Sequence, residues 1–401
     1  MNSIPSIRPS FIMVLGALFL AVILCPVGIV SGEGVSDASS PDGLTFVHPG
    51  IAHSRAELDF VRERIEAGDQ PWADAWAAML ESDYADPEWT PSPYAHVERG
   101  AYNRPDVGSS GFMSDGTAAY TQALLWTLTD DPRHAEKARE IIKAWSETLE
   151  SISNHDARLL VGMTGHQYCN AAELLRHEWD GWPEAEQEGF RKMLRDVWYP
   201  VIEDFYPSAN GNWDAAMIQT MMAMGVFLDD EPMFRRAVDY FLDGEGNGRI
   251  THYFNEFGEC QESGRDQAHT QMGLEYLSNS CETAWKQGVD LYSTADDRLS
   301  LGFEYTAQYN AGHEVRYVPY RSFEGRYYNE TISDKSRGRF RPMYERVFNH
   351  YHNRQGLEMP FTWEAVQQTR PEGGGISSLP WGTLMFADQP EDLVPLGTFS
   401  P

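Results

Sequence analysis

The sequence is poor in cysteine, lysine and net positive charge. The shortage of cysteine argues against a common zinc site, and the shortage of positive charge argues against polyanionic partners such as nucleic acid. Its 401 residues include 4 cysteines, and no two form a Cys-x-x-Cys pair, so the sequence lacks the spacing of a common zinc site. Only 5 of the 31 basic residues are lysine, which leaves arginine as the main cation. The 60 acidic residues give a formal net charge of −29, which argues against nucleic acid and anionic membranes as partners.

Several enzyme motifs are also missing. The sequence has no Gly-x-Ser-x-Gly elbow, no phosphate loop ending in Gly-Lys-Ser/Thr, and no His-Glu-x-x-His pair. Glycines 244, 246 and 248 have the wrong spacing for a dinucleotide fingerprint. His155-Asp156 and the pair His350 and His352 are more typical of surface residues than of metal ligands. We therefore expect no metal and no cofactor.

The N-terminus has the pattern of an export signal. Arg8 precedes an apolar run, Phe11 to Leu24, which has the length of a signal-peptide core and is short for a membrane span. We predict a signal peptide at 1–32 and a linker at 33–45, and hence a secreted or periplasmic protein that leaves the membrane after cleavage. Three cysteines then remain (Cys169, Cys260 and Cys281), and Cys260 with Cys281 is the one possible disulfide.

Apolar residues recur at helical spacing along most of the remaining chain, and strand-like alternation is scarce before residue 300. Breaks such as Asp130-Asp131-Pro132 and Asp229-Asp230-Glu231-Pro232 carry helix-start signals. The predicted helices are 56–65, 117–128, 135–149, 167–178, 186–205, 215–227, 232–242 and 267–287. Such helices suit stacked antiparallel pairs in a bundle, a solenoid or a closed toroid. We predict one all-α domain at 46–390, followed by a tail at 391–401.

The segment from His313 to Arg346 reverses the local charge. It holds eight arginines and lysines against five acids, a net of +3, together with five tyrosines. One interpretation is a solvated segment whose charges pair locally. The interpretation that we favour is a cationic groove, lined by aromatic rings, for an anionic polymer.

Two further stretches carry candidate chemistry. In the first, Asn210, Asn212 and Trp213 lead into an apolar helix, and a helix cap accounts for only one of these polar residues. In the second, Arg265 and His269 are four residues apart and share a helical face, with Tyr276 two turns beyond. An ion-pair ladder of Glu262, Arg265 and His269 is the structural alternative to a site.

Together, these stretches resemble the helical alginate lyase superfamily, and polysaccharide lyase family 38 in particular, from about residue 46 to about residue 386. The resemblance implies an (α/α) toroid, an incomplete α/α barrel with a cleft, that cleaves uronic-acid polymers without metal. In that family an Asn, a His and an Arg neutralise the uronate carboxylate, and a Tyr acts as acid and sometimes also as base. Transferred to this sequence, the resemblance implies catalytic Asn212, His269, Arg321 and Tyr327, and substrate contacts from Arg265, His166, Gln167, Asn210, Trp213, Tyr276 and Tyr328. Arg316, Arg326, Tyr320 and Tyr328 compete for the arginine and tyrosine roles.

The implied reaction explains these residue types. Removal of the proton next to a uronate carboxylate builds charge on that carboxylate, which fixed donors stabilise. A tyrosine base, with an ordinary pKa of about 10, needs neighbouring cations that stabilise its phenolate. One phenol can serve as base and acid in a syn elimination, which favours mannuronate or glucuronate as substrate. The alternatives are a helical glycoside hydrolase that uses carboxylates such as Asp115, Asp214 and Asp266, and an exported glycan-binding protein without activity.

Overall fold

The computed structural model describes residues 44–390, which belong to one compact unit. The predicted signal peptide, the predicted linker up to residue 43 and the predicted tail at 391–401 lie outside the described residues. The helices are α1 (Arg55–Ala67), α2 (Trp72–Leu80), α3 (Ser109–Thr129), α4 (Pro132–Thr148), α5 (Ala157–Glu178), α6 (Glu184–Met193), α7 (Tyr199–Ile202), α8 (Gly211–Phe227), α9 (Glu231–Asp243), α10 (Ile250–Tyr253), α11 (Gln267–Lys286), α12 (Thr294–Asn310), α13 (Tyr344–Phe348), α14 (Pro360–Thr369) and α15 (Gly382–Phe386).

Four helices, α3, α5, α8 and α11, form the inner layer, in which each packs against the next. Every residue of α8 from Gly211 to Phe227 is buried, because small and apolar side chains surround the whole helix. The glycines of α5 permit close approach: a Cβ at Gly162 would lie 2.7 Å from the backbone of Ala216 in α8. Bulkier residues at these positions would force the inner helices apart.

The outer helices are amphipathic and cover the inner layer. Helix α4 buries Ala135, Ala138, Ile141, Ile142 and Trp145, which recur every three or four residues, and exposes charged residues on its other side. The predicted helix starts are confirmed at Asp131 and Asp230, whose side chains accept hydrogen bonds from the first turns of α4 and α9. These inner and outer helices form the predicted all-α toroid.

The inner helices run in the same direction. Asn212 in α8 contacts Met272 in α11 (Nδ2 to Sδ, 3.6 Å), and seven residues further along each helix Asn279 donates to Gln219 at 2.7 Å. Each of these contacts spans 60 residues of sequence, so the two helices are parallel and in register. The N-termini of the inner helices consequently lie at one end of the toroid.

The structure adds elements that the sequence analysis did not predict. Strands β1 (His96–Arg99), β2 (Asp106–Val107) and β3 (Ser151–Ser153) form a small sheet in the order β2-β1-β3, antiparallel between β1 and β2 and parallel between β1 and β3. The predicted helix at 186–205 is divided into α6, a π-helical turn at Leu194–Trp198, and α7. Cys169, Cys260 and Cys281 are free and buried, so the possible Cys260–Cys281 disulfide is absent. Within the described range no helix is long and apolar enough to span a bilayer.

Candidate active site

A cavity of about 700 Å³ opens at the N-terminal ends of the inner helices. Its walls come from the loop before α3, the first turns of α5, α8 and α11, and the irregular segment after α12. The lining residues are Arg99, Ala101, Tyr102, Asn103, His155, Asp156, Leu159, Met163, Tyr206, Ala209, Asn210, Trp213, Arg265, His269, Met272, Arg326, Tyr327, Tyr328 and Asn329. Helix N-termini carry partial positive charge, so the backbone itself favours an anion at this end of the toroid.

His269 lies in the first turn of α11 and is held by Asp266. The aspartate caps the helix through the backbone N–H of His269 at 2.8 Å and accepts from the imidazole Nδ1 at 2.8 Å. Burial alone would raise the pKa of Asp266, but the hydrogen bonds from His269 and the nearby charges of His269 and Arg265 hold it well below its usual value. The aspartate is therefore ionised and fixes the imidazole so that Nε2 remains available to a ligand.

Arg265 is anchored by the fully buried Glu262, which accepts from its guanidinium at 2.7 Å. Glu262 also accepts from the backbone N–H of Asn212 at 3.1 Å and from the Tyr253 hydroxyl at 3.0 Å. This carboxylate thus joins the start of α8 to the start of α11. The predicted ion-pair ladder exists between Glu262 and Arg265, but His269 pairs with Asp266 instead.

Asn212 is fully buried, behind the lining residues Asn210 and Trp213. Its amide nitrogen contacts the sulfur of Met272, a lining residue, whereas its Oδ1 has no hydrogen-bond partner. In this orientation, the Asn212 N–H would donate to a polar ligand that displaced the Met272 side chain. If the amide turned by 180°, its N–H would instead lie where the unpartnered Oδ1 is now.

The segment after α12 brings Tyr327 and Tyr328 to the cavity. The Tyr327 backbone N–H donates to the Ser322 side chain at 2.9 Å, and the Arg326 guanidinium lies 5.3 Å from the centroid of the Tyr327 ring. Arg321 is exposed and does not line the cavity; its guanidinium lies 4.4 Å from the centre of the Tyr328 ring. The predicted competitor Arg326 is thus the arginine of this segment that reaches the cavity.

An aromatic wall faces these cations. Trp213 meets His155 edge-on, with ring centroids 5.7 Å apart, and meets Tyr206 at 5.5 Å. His155 also pairs with Asp156, from Nδ1 to Oδ1, at 2.6 Å. Flat rings beside hydrogen-bonding groups are suited to the faces and hydroxyls of a sugar.

Three residues predicted to bind substrate lie in the core, outside the cavity lining. Gln167 bonds to Thr117 and to the backbone of Ser378, and so holds a distant loop. His166 is 2% exposed, and burial, with a contribution from the charge of Arg346, lowers its pKa to about 3. Tyr276 is 1% exposed and donates to the carbonyl of Ser377 at 3.1 Å. These contacts give each of the three a structural role.

Other lining residues were not singled out by the sequence analysis. Arg99, Tyr102 and Asn103 come from the hairpin before α3, and their sequence carries no motif. Tyr102 is 97% exposed at the rim of the cavity. His155-Asp156 was visible as a pair but was interpreted as surface residues, because the predicted helix began at residue 167 and the start of α5 directly after this pair was not recognised.

Carboxylates are nearly absent from the cavity. Among the described residues that line it, Asp156 is the one acid, and it is paired with His155. Asp115 accepts from the indoles of Trp89 and Trp145, and Asp214 accepts from Tyr206 and Tyr240, so both are committed to the core. A glycoside hydrolase needs two carboxyl groups facing one bond, and the cavity does not provide them.

The helical toroid and its cationic, aromatic cavity suit a polysaccharide lyase, and the family match identifies the protein as a member of that class. The chain belongs to the alginate lyase family, whose family model matches residues 69–315. Among solved structures, it is similar to an alginate lyase from Bacteroides ovatus, with 12% identity and a TM-score of 0.63, covering 86% of this chain and 100% of that one. It is also similar to alginate lyase A1-III from Sphingomonas species A1, with 15% identity and a TM-score of 0.62, covering 85% and 98%. At these identities the likeness establishes the shared fold. The sequence has no match among curated proteins.

Proposed function

We propose that this lyase cleaves alginate by metal-independent β-elimination. The observation that carries the proposal is the shared cavity of His269 and Tyr327, which contains three arginines and one carboxylate that is already paired. Family membership supports the substrate, as does the similarity to an alginate lyase A1-III variant described as complexed with a tetrasaccharide.

In the proposed mechanism, donors at the starts of α8 and α11 neutralise the uronate carboxylate. His269, whose Nδ1–H donates to Asp266, donates from Nε2 in its imidazolium form, and Arg265, anchored by Glu262, offers the guanidinium nitrogens that Glu262 leaves free. Asn212 supplies an amide N–H once Met272 moves aside. These donors stabilise the charge that develops when the α-proton leaves, and the helix N-termini add to their effect.

Tyr327 is the proposed base and acid. Its ring lies beside the Arg326 guanidinium, the kind of neighbour that stabilises a phenolate. The phenolate takes the proton at C5, the electrons form a C4–C5 double bond, and the glycosidic oxygen leaves from C4 with a proton from the same phenol. Base and leaving group then lie on one side of the ring, which favours mannuronate-type linkages.

We also propose that the enzyme works outside the cytoplasm. The supporting feature is the apolar run from Phe11 to Leu24, followed by the small residues Ser31 and Gly32. An exported location suits a polymer too large to cross a membrane.

A panel of polymers tests the reaction class and the substrate together. Mannuronate-rich and guluronate-rich alginate blocks, glucuronan and pectate are incubated with the protein and followed by ultraviolet absorbance. We expect absorbance from the unsaturated uronate, greatest on mannuronate blocks. Reducing ends without absorbance would indicate a hydrolase, and binding without either product would indicate a glycan-binding protein.

A further inference from the structure

Among the described residues, Arg99 differs from the other two arginines that line the cavity because no oxygen atom accepts a hydrogen bond from its guanidinium. Arg265 is paired with Glu262, and Arg326 donates to the carbonyl of Ser208 at 3.2 Å. The one side-chain contact of Arg99 is with the sulfur of Met163, at 4.0 Å from Nη1, and its Nε is buried without a hydrogen-bond partner. A half-buried guanidinium without hydrogen-bond acceptors destabilises the protein, and a ligand that supplies acceptors would remove this free-energy cost.

The acids around Arg99 are committed elsewhere. Asp106, its register partner across β1 and β2, accepts from the side chains of Ser109 and Ser110 at the start of α3. Asp156 is paired with His155, and Glu98 accepts from Asn154 at 3.2 Å. Although the sequence holds 60 acidic residues, none of those in the described range pairs with this guanidinium.

The position of Arg99 separates it from the donors assigned to the reacting sugar. It contacts α5 through Met163, whereas His269 lies in the first turn of α11 and Arg265 lies just before that helix. Met163 lines the cavity from the second turn of α5. The guanidinium of Arg99 therefore contacts a deeper part of the cavity wall than His269 does.

We propose that Arg99 binds the carboxylate of a second uronate, next to the one that is cleaved. The inference rests on the proposed function and extends it: the enzyme recognises consecutive uronates rather than one uronate between neutral sugars. The planar guanidinium can bind a carboxylate through two parallel hydrogen bonds, a geometry that lysine cannot reproduce.

The test combines a change in the protein with a change in the polymer. Arg99→Gln is compared with wild type on polymannuronate and on polymannuronate in which about half of the carboxylates have been reduced to alcohols. We expect Arg99→Gln to lower kcat/KM about 10- to 100-fold on the intact polymer. On the reduced polymer the ratio between the two proteins should fall about twofold, because about half of the cleavable uronates then have a neighbour without a carboxylate. Arg99→Lys should recover only part of the loss.

Arg104→Gln is the matched control, since Arg104 is exposed on the same hairpin and lies outside the cavity lining. It removes the same charge and should leave kcat/KM unchanged. If Arg104→Gln lowered kcat/KM as much as Arg99→Gln does, the loss would come from weaker electrostatic attraction of the anionic polymer in general, and the proposal would be overturned. Equal losses on intact and reduced polymer, or no loss at all, would also overturn it.

Calorimetric titration with saturated mannuronate trisaccharide separates this inference from the proposed function. With Tyr327→Phe as the common background, it measures carboxylate binding without turnover, and adding Arg99→Gln should weaken binding by a similar factor. A wild-type protein that forms no unsaturated product on any polyuronate refutes the proposed function. A wild-type lyase whose Arg99→Gln variant binds the trisaccharide equally well refutes the role of Arg99 alone.

Discussion

Asp266 holds His269 through two separate atoms of that residue, the backbone N–H and the imidazole Nδ1, each at 2.8 Å. One carboxylate therefore starts helix α11 and also orients the imidazole that the helix carries. Because both functions depend on the same oxygen atoms, the position of the helix and the direction of Nε2 cannot vary independently.

His269→Ala should damage turnover far more than folding. The imidazole is 33% exposed and its partner Asp266 keeps its role as helix cap, so the loss of stability should be small. Loss of one donor to the developing charge should lower kcat about 100- to 1,000-fold. Arg265→Ala should behave in the same direction. The measurements are kcat on polymannuronate and the thermal midpoint.

His96→Ala serves as the control, because His96 is exposed on β1 and lies outside the cavity lining. The site assignment would be wrong if His269→Ala lost several kcal/mol of stability while its folded fraction remained fully active. In that case the histidine would be structural.

Tyr327→Phe should fold, bind polymer and be almost inactive. The change keeps the ring and its contact with Arg326, and removes only the hydroxyl that moves a proton. The expected loss in kcat is about 100- to 10,000-fold, with binding of the trisaccharide nearly unchanged. Single-turnover kinetics and calorimetric binding measure the two effects separately.

Tyr328→Phe and Tyr320→Phe are the matched comparisons. Tyr328 is 44% exposed and stacks with Arg321, so its hydroxyl should matter less. Tyr320 donates to the carbonyl of His252 outside the cavity, and its loss should affect stability rather than chemistry. Should Tyr328→Phe abolish turnover while Tyr327→Phe stays active, the catalytic tyrosine is one residue further along. If all three variants remain active, the tyrosine mechanism fails.

Activity should survive exhaustive chelation. In the described part of the chain, the one group spaced for a metal ion is His48, Glu173 and His177, and two of these lie near the C-terminal end of α5, whereas the cavity lies at its N-terminal end. The proposed neutralisation of the substrate uses only protein donors. Initial rates before and after dialysis against a chelator should agree. Inactivation that calcium reverses would point to a metal-assisted elimination.

Stability should fall at alkaline pH through His48. Its Nδ1 lies 2.6 Å from Glu173 and its Nε2 lies 2.9 Å from Asp229, so both nitrogens face carboxylates and both carry protons. Burial alone would lower the pKa of His48, but the two carboxylates outweigh burial and raise it. A raised histidine pKa gives stability that is complete below about pH 6.5 and is lost as the pH rises through the folded-state value.

The thermal midpoints of wild type and His48→Gln, measured from about pH 6 to about pH 9, check this prediction. The difference should correspond to about 1–3 kcal/mol at the acid end and should shrink towards the alkaline end. His313→Gln is the control, because His313 is exposed and meets one carboxylate at 3.3 Å. A difference that stays constant with pH would show that His48 contributes by packing alone.

The helices were predictable because both signals for them, apolar residues at helical spacing and capping residues, are set by neighbouring residues in the sequence. The start of α5 was missed by ten residues, since Gly162, Gly165 and His166 interrupt the apolar pattern. These glycines serve contacts with neighbouring helices, and no local pattern encodes such contacts. The small sheet escaped prediction for a related reason, because β1 and β3 are short and separated by two helices.

The candidate site was predictable where its residues are close together in sequence. Arg265 and His269 both reach the cavity, but α11 begins at Gln267, so Arg265 precedes the helix and the predicted shared helical face is wrong. Tyr276 shares their spacing but lies two turns deeper, where its hydroxyl is used by Ser377. The six-residue offset from Arg321 to Tyr327 had no such basis, because the backbone there is irregular and spacing does not determine direction. Arg99 is about 170 residues from His269 in sequence, and only the packing of the inner helices against one another brings the two into one cavity.

The common direction of the inner helices has a consequence for how such a scaffold can diversify. The partial positive charge at the cavity comes from peptide groups, which substitutions and pH do not remove while the fold persists. General affinity for polyanions is therefore inherited with the backbone. In the proposed mechanism, recognition of one particular polymer depends on two flanking segments, the hairpin around Arg99 and the irregular segment around Tyr327, which lie outside the inner helices. New specificities can arise in those segments without any change to the packed core.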